Sequence, residues 1–392
     1  MSTTSIPTID LSLASSAATR PKLLADLRHA LFEVGFLYLS NHGISPPVIQ
    51  DLVGALPRLF ALPDHVKRSV ALVNSPHFLG YSGFGSEVTA RVRDQREQFE
   101  FANELPDRYG LAVSRHGGDG GEALPLYIRL QGPNQWLLLE DDSERQTVPK
   151  FRDIVERYIA AMQALAMRFL ELANEALYLP PGSLERFTGP QDRIKLVHYR
   201  PTSTSTSTST EESLSSTPCS SSNTQGVGPH KDSSGWMTFL LQASSPSIPG
   251  LQVLSKDGLW LDAPPVPDTL VVNMGQAFEV ATNGVCKATT HRVLLPPGNY
   301  DRYSVPFFQG VRPDLTKPEL RSLWEYFDAE EKWWTTLGGS RESDEGSQID
   351  SPFLRGKYDT WGEAQLRTKI RSHRDVGERW YADVFEKYVN DD

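Results

Sequence analysis

From Arg193 onward the chain becomes a succession of short apolar runs broken by glycine and proline, and this texture constrains the fold more than any other feature of the 392 residues. The strand-like runs are 193–200, 236–242, 250–254, 259–262, 268–274, 286–295 and 302–309. Many short strands joined by such turns predict an all-β barrel or a double-sheet jelly roll. Directly before them stands the strongest helix of the chain, Val148 to Leu179. Its Phe151, Val155, Tyr158, Met162, Leu165, Phe169 and Leu172 make one apolar stripe, and Pro180-Pro-Gly182 stops it. The class is therefore α+β, a β core flanked by helices.

The remainder divides around that core. Ile6-Pro-Thr-Ile-Asp10 is β-like, and Leu23, Leu24, Leu27, Ala30, Leu31 and Val34 recur at helical spacing up to Gly35. Phe36-Leu-Tyr-Leu39 reads as a buried strand, Asn41-His-Gly43 as a turn, and Pro46 to Leu62 as an amphipathic helix. Residues 74–147 are rich in Gly and Pro with few periodic stretches, and His116-Gly-Gly-Asp-Gly-Gly121 reads as an exposed loop. Ser203-Thr-Ser-Thr-Ser-Thr-Ser-Thr210 continues polar to about Gln225. It cannot bury apolar surface and is expected to be a disordered surface insertion near 202–225. The tail returns to helix over Leu320 to Phe327 and Gly362 to Tyr388, with a polar loop at 338–351. Three regions result: an N-terminal region 1–147, the long helix with the β core 148–310, and a helical extension 311–392.

The formal net charge is -10, which disfavours a nucleic acid as general partner, since such binding runs on excess Lys and Arg. No apolar run reaches 18 residues, so no membrane span is expected. The amino terminus, MSTTSIPTIDLS, lacks the pattern of a secretory signal. Cys219 and Cys286 are the only cysteines, too few for a disulfide framework. A reducing, cytoplasmic setting is the expectation.

His230-Lys-Asp232 reads as the start of a strand-like segment running into Trp236-Met-Thr-Phe-Leu-Leu241. Residues i and i+2 of a strand share a face, so an imidazole and a carboxylate aim at one point. His291, on another strand-like run, is the candidate third ligand. Two His and one carboxylate leave coordination positions open, as in non-haem iron(II) oxygenases; tetrahedral zinc, and with it a zinc hydrolase, is the competing reading. Arg302-Tyr-Ser304 follows on the next run, again i and i+2. Asp301 belongs to the opposite face, so an inward Arg302 wants an anionic ligand, its planar fork suiting a carboxylate. The competing assignment pairs Arg302 with a distant Asp or Glu.

At these residues the chain resembles the isopenicillin-N-synthase-like branch of the iron(II)/2-oxoglutarate dioxygenases. The likeness is an ordered series: Ile6-Pro-Thr-Ile-Asp10, Gly35-Phe-Leu-Tyr-Leu-Ser-Asn-His-Gly-Ile44, Gly80-Tyr81, Asp94-Gln-Arg-Glu-Gln-Phe99 and Lys195-Leu-Val-His-Tyr199. It continues through Gly226-Val-Gly-Pro-His-Lys-Asp-Ser-Ser234, Pro249-Gly-Leu-Gln-Val253, Asp268-Thr-Leu-Val-Val-Asn-Met-Gly275 and Asn283-Gly284 to His291-Arg-Val293 and Arg302-Tyr-Ser304. The resemblance implies a double-stranded β-helix core flanked by helices. It implies iron(II) on His230, Asp232 and His291, O2 and 2-oxoglutarate as cosubstrates, and the far carboxylate of 2-oxoglutarate on Arg302, Ser304 and Tyr199. It sets Phe308 against the substrate, with plain core packing as the alternative. Lys231 stands where small polar residues are usual and belongs to the opposite face, and Val197 replaces an Asn used by some relatives. The implied activity is hydroxylation, desaturation or cyclisation of a small organic molecule, in secondary metabolism. The alternatives are an isopenicillin-type oxidase that uses no 2-oxoglutarate and a non-catalytic small-molecule-binding protein.

Overall fold

Runs such as Phe36-Leu-Tyr-Leu39, buried at every position, belong in sheets covered on both faces, and they sit in one. The computed structural model describes residues 5–89, 92–115, 124–138, 146–201, 225–233, 235–296, 298–328, 351, 353 and 357–391. The strands in chain order are β1 (Thr8–Asp10), β2 (Phe36–Ser40), β3 (Gly80–Ser82), β4 (Val88–Thr89), β5 (Val92–Arg93), β6 (Glu97–Ala102) and β7 (Arg193–Tyr199). β8 (Gln225–His230), β9 (Met237–Gln242), β10 (Leu251–Leu254), β11 (Trp260–Asp262), β12 (Thr269–Met274), β13 (His291–Leu294) and β14 (Arg302–Phe308) complete them. An eight-stranded sheet runs β1-β2-β12-β9-β14-β7-β6-β3, and a four-stranded sheet runs β11-β10-β13-β8.

Phe36, Tyr38, Val197, Tyr199 and Val271 of the large sheet pack against Val227, Leu251, Val253 and Val293 of the small one. This is the expected double-sheet jelly roll. The other face of the large sheet is covered by helices α1 (Arg20–His29), α2 (Pro46–Phe60) and, after the short α3 (Asp64–Ser69) and α4 (Arg108–Arg115), by α5 (Phe151–Ala176). Gly35 closes the turn between the first helix and β2 at φ +69°, and a Cβ there would lie 2.3 Å from Thr289 Oγ1. Only glycine satisfies both demands. Among the described residues, no helix is long and apolar enough to cross a membrane.

Three expectations need correction. The run 286–295 is a strand only over His291–Leu294, and a helix not foreseen, α6 (Gln276–Ala281), lies before it. The His230–Asp232 motif lies at the end of β8 and in the turn after it, not at the start of β9. After α7 (Lys317–Asp328), the tail from 362 to 388 is three helices, α8 (Trp361–Ser372), α9 (Arg374–Trp380) and α10 (Ala382–Val389), not one. The breaks fall where side chains reach elsewhere: His373 Nε2 lies 3.0 Å from Glu87 Oε1, and the Tyr381 hydroxyl donates to the Pro76 carbonyl at 2.6 Å. Tertiary contacts override helix propensity at both positions. The 116–121 loop and the Ser/Thr insertion lie outside the described residues.

The segment 74–147, unreadable by periodicity, contributes β6, whose Glu97 is buried at 1% exposure. Burial works to raise its carboxyl, but hydrogen bonds from His198, Tyr81 and Lys67 hold it down at about 2 from an ordinary 4.5. Lys67, 3% exposed, lies 3.0 Å away. Glu97→Gln leaves that buried ammonium with only the Phe60 carbonyl at 3.1 Å and the exposed Asp64 at 3.4 Å, and is expected to cost about 3 kcal/mol by denaturant unfolding. The stabilisation from Glu97 is present above pH 4.5 and lost as pH falls toward 2, so the variant should show a shallower acid destabilisation than the parent over that window. An unchanged acid slope would remove Glu97 from this role.

Candidate active site

In antiparallel pairing β13 sets His291 directly opposite His230, the last residue of β8. The imidazole centroids lie 4.3 Å apart. Asp232, two residues beyond His230, brings Oδ1 to 3.7 Å from His230 Nε2 and 3.6 Å from His291 Nε2. The three ligand atoms lie within 4.8 Å of one another, and this is the one such cluster among the described residues.

The partners behind these side chains decide what they can do in front. His230 Nδ1 is 2.8 Å from the Gly228 carbonyl and His291 Nδ1 is 3.1 Å from the Thr289 carbonyl. A carbonyl only accepts, so each Nδ1 carries a proton and each Nε2 is the nitrogen turned toward Asp232. Burial and the neighbouring His291 pull His230 down to about 4, so it is neutral at physiological pH. Asp232 Oδ2 accepts from Thr238 Oγ1 at 2.6 Å and Asn273 Nδ2 at 2.7 Å, which leaves Oδ1 free. Burial works to raise the Asp232 carboxyl, but His291, His230 and these two hydrogen bonds hold it below its usual range. Two imidazoles anchored through Nδ1 with Nε2 turned inward, and a carboxylate with one oxygen open, suit a divalent cation with open coordination positions. Lys231, between the ligands, pairs with Glu279 of α6 at 3.3 Å.

These residues line a cavity of about 270 Å³ between the sheets, and β14 lines it with Arg302, Ser304, Pro306 and Phe308. Arg302 is 1% exposed, and its Nη2 is hydrogen-bonded to Gln242 Oε1 at 3.1 Å. Its Nε and Nη1 have no hydrogen-bond partner. Among the described residues no carboxylate stands within ion-pair distance of it, so the assignment to a distant Asp or Glu fails. Burial lowers the guanidinium from its ordinary value, with Tyr199 working against the shift. Tyr199 faces it from the paired position on β7, the guanidinium 5.0 Å from its ring centroid. Gly250 makes the room: a Cβ there would lie 2.9 Å from Arg302 Nε. A buried cation with two open donors has the chemistry to take an external carboxylate.

The structure thus brings His230, Asp232, His291, Arg302, Ser304, Tyr199 and Phe308 to one cavity. Sequence reasoning missed Thr238 and Asn273. Asn273 had a signal, as the one amide within the apolar stretch Leu270–Met274 of β12.

Residues 6–137 match the model of the N-terminal region of non-haem dioxygenases in morphine synthesis, and residues 196–311 match that of the 2OG-Fe(II) oxygenase superfamily. The chain is 40% identical to the 2-oxoglutarate-dependent dioxygenase frbJ of Dothideomycetidae sp. (strain 11243), across 97% of this chain and 93% of that protein. It is 33% identical to a 2-oxoglutarate-dependent dioxygenase of Gibberella zeae, across 98% and 93% respectively. The crystal structure of a full-length Neurospora crassa protein in complex with alpha-KG shares the fold at TM-score 0.62 and 21% identity over 95% of each chain.

The hydrogen bonds to Asp232 Oδ2 yield a prediction. Thr238→Val and Asn273→Ala should each weaken binding of Mn(II), measured by equilibrium dialysis, by about 10- to 100-fold. Unchanged affinity in both would leave Asp232 positioned by the backbone alone.

Proposed function

The chain belongs to the iron(II)/2-oxoglutarate-dependent dioxygenases, and from that membership we propose that His230, Asp232 and His291 hold its iron while Arg302, Ser304 and Tyr199 receive the far carboxylate of 2-oxoglutarate. The observation that carries this reading is the uncompensated guanidinium of Arg302, buried in the same cavity as the three-residue cluster. Bound iron(II) with 2-oxoglutarate and O2 supplies an oxidation in which the 2-oxo acid becomes succinate and CO2 while a C–H bond of the substrate is oxidised.

The residues of this chain bind, orient and exclude water. Thr238 and Asn273 fix the Asp232 carboxylate, and the Gly228 and Thr289 carbonyls fix the imidazoles. Each ligand therefore meets the metal without rearranging. Arg302 and Ser304, paired with Tyr199 and Val197 across the sheet, orient the 2-oxo acid. Phe36, Val227, Leu251 and Val293 give the inner cavity apolar walls, and Phe308 borders the substrate space. The substrate is a small organic molecule, in our reading a secondary metabolite that is hydroxylated, desaturated or cyclised. The excess of acidic residues offers no general surface for nucleic acid, and a metal as easily oxidised as iron(II) suits the cytoplasm.

Asp232→Ala should abolish iron-dependent succinate formation from 2-oxoglutarate. Arg302→Leu should raise the 2-oxoglutarate concentration needed for half-maximal binding by about 10- to 100-fold, the worth of a charged hydrogen-bonded clamp. Near-normal turnover by Asp232→Ala with iron present, or an unchanged requirement in Arg302→Leu, overturns the corresponding assignment.

A further inference from the structure

The outer half of the cavity is charged in a way that neither iron nor 2-oxoglutarate accounts for. Alternate residues of β7 face it: Tyr199 and Val197 deep in the core, then Lys195 and Arg193 toward the mouth. Lys195 lies four residues outward from Tyr199, about 13 Å of strand. From the carboxyl-terminal side α8 closes the mouth with Trp361, Gln365 and Lys369, spaced i, i+4, i+8 on one helical face. Gln365 Nε2 ties that helix to the Ser233 carbonyl at 2.8 Å, one residue from Asp232.

Three cations meet one carboxylate there. Glu100 Oε1 accepts from Arg193 Nη1 at 2.7 Å and from Lys369 Nζ at 2.9 Å. Lys195 Nζ stands 3.7 Å from Glu100 Oε2 and 3.6 Å from Glu87 Oε1 and makes no hydrogen bond among the described residues. Glu87 is already engaged by Arg96, Gln98 and His373, and Asp94 by Arg96, Thr89 and Gln225. Arg193 is consumed structurally, since its guanidinium also donates to the carbonyls of Phe78, His77 and Leu130. Lys195 and Lys369, their side chains 15% and 14% exposed, are therefore the cations with donors to spare. Burial, with Arg193 and Lys195 alongside, pulls Lys369 down to about 8 despite Glu100.

We propose that Lys195 and Lys369 form an anion-binding subsite at the outer end of the cavity, so that the primary substrate is a small organic acid bound through its carboxylate. The apolar Leu130, Val311, Trp361 and Phe308 line the space it would occupy. This inference rests on the assignment of the inner cavity to iron and 2-oxoglutarate.

The test is calorimetric and needs no turnover. The full chain is loaded with Mn(II), titrated with 2-oxoglutarate to saturation, and then titrated with straight-chain carboxylates from propanoate to octanoate and with their primary amides. At least one carboxylate should bind about 10- to 100-fold tighter than its amide, the worth of a charge-assisted hydrogen bond. Lys195→Met and Lys369→Met should each remove most of that preference while leaving amide binding unchanged. If no carboxylate binds, if carboxylate and amide bind alike, or if both variants keep the preference, the subsite is overturned. Carboxylate binding that disappears once 2-oxoglutarate is saturating would locate the anion at Arg302 and also overturn it. The wild-type comparison can still overturn the subsite if one variant fails to fold, and the other variant then locates it. Failure of the inner-site assignment would appear earlier and separately, as absence of 2-oxoglutarate binding in the first titration.

Discussion

The pairing of β13 with β8 in the register that sets His291 opposite His230 is the constraint on which the rest of the site depends. Side chains alternate along a strand, so a slip of one residue would turn one imidazole away from the other. With the register kept, the turn after His230 needs only two residues to bring Asp232 to both Nε2 atoms. The register is held from both sides by the small sheet, where β10 pairs with the other edge of β13, and by the packing of Val227, Val253 and Val293 against the large sheet.

A common design runs through the cavity. Each functional group is satisfied from behind and open in front. The imidazoles donate backward to carbonyls, Asp232 accepts backward from Thr238 and Asn273, and Arg302 is anchored by Gln242 through one nitrogen. Orientation is thus settled before any ligand arrives, and ligands meet groups already stripped of water. Lys369 at the outer end follows the same pattern, with Glu100 holding it from one side.

Much of this was legible in the sequence because the chemistry sits on residue pairs two positions apart, on alternate positions of β14 for Arg302 and Ser304 and across the end of β8 and the turn after it for His230 and Asp232. His230 and Asp232, Arg302 and Ser304, and the short runs after Arg193 declare themselves by spacing and residue type. What could not be read depends on long-range contact. Strand register is not written in either strand alone, and the inner apolar faces carry no mark of which strand they will meet. Lys369 reaches Glu100 across 269 positions, and β6 lies within a Gly/Pro-rich segment of no visible period. The three helices after Trp361 read as one because their breaks come from His373 and Tyr381 reaching into the body of the protein, not from local breakers.

In the arrangement we propose, the three-residue cluster and the Arg302 guanidinium form a single site bridged by one ligand. Its most direct test is the affinity for 2-oxoglutarate under anaerobic conditions, with and without iron(II). Two halves of one site must show linkage, each ligand tightening the other by the same factor. 2-Oxoglutarate binding should strengthen markedly when iron(II) is present, and iron binding should strengthen equally with 2-oxoglutarate. An affinity for 2-oxoglutarate that is the same with and without the metal would contradict this arrangement.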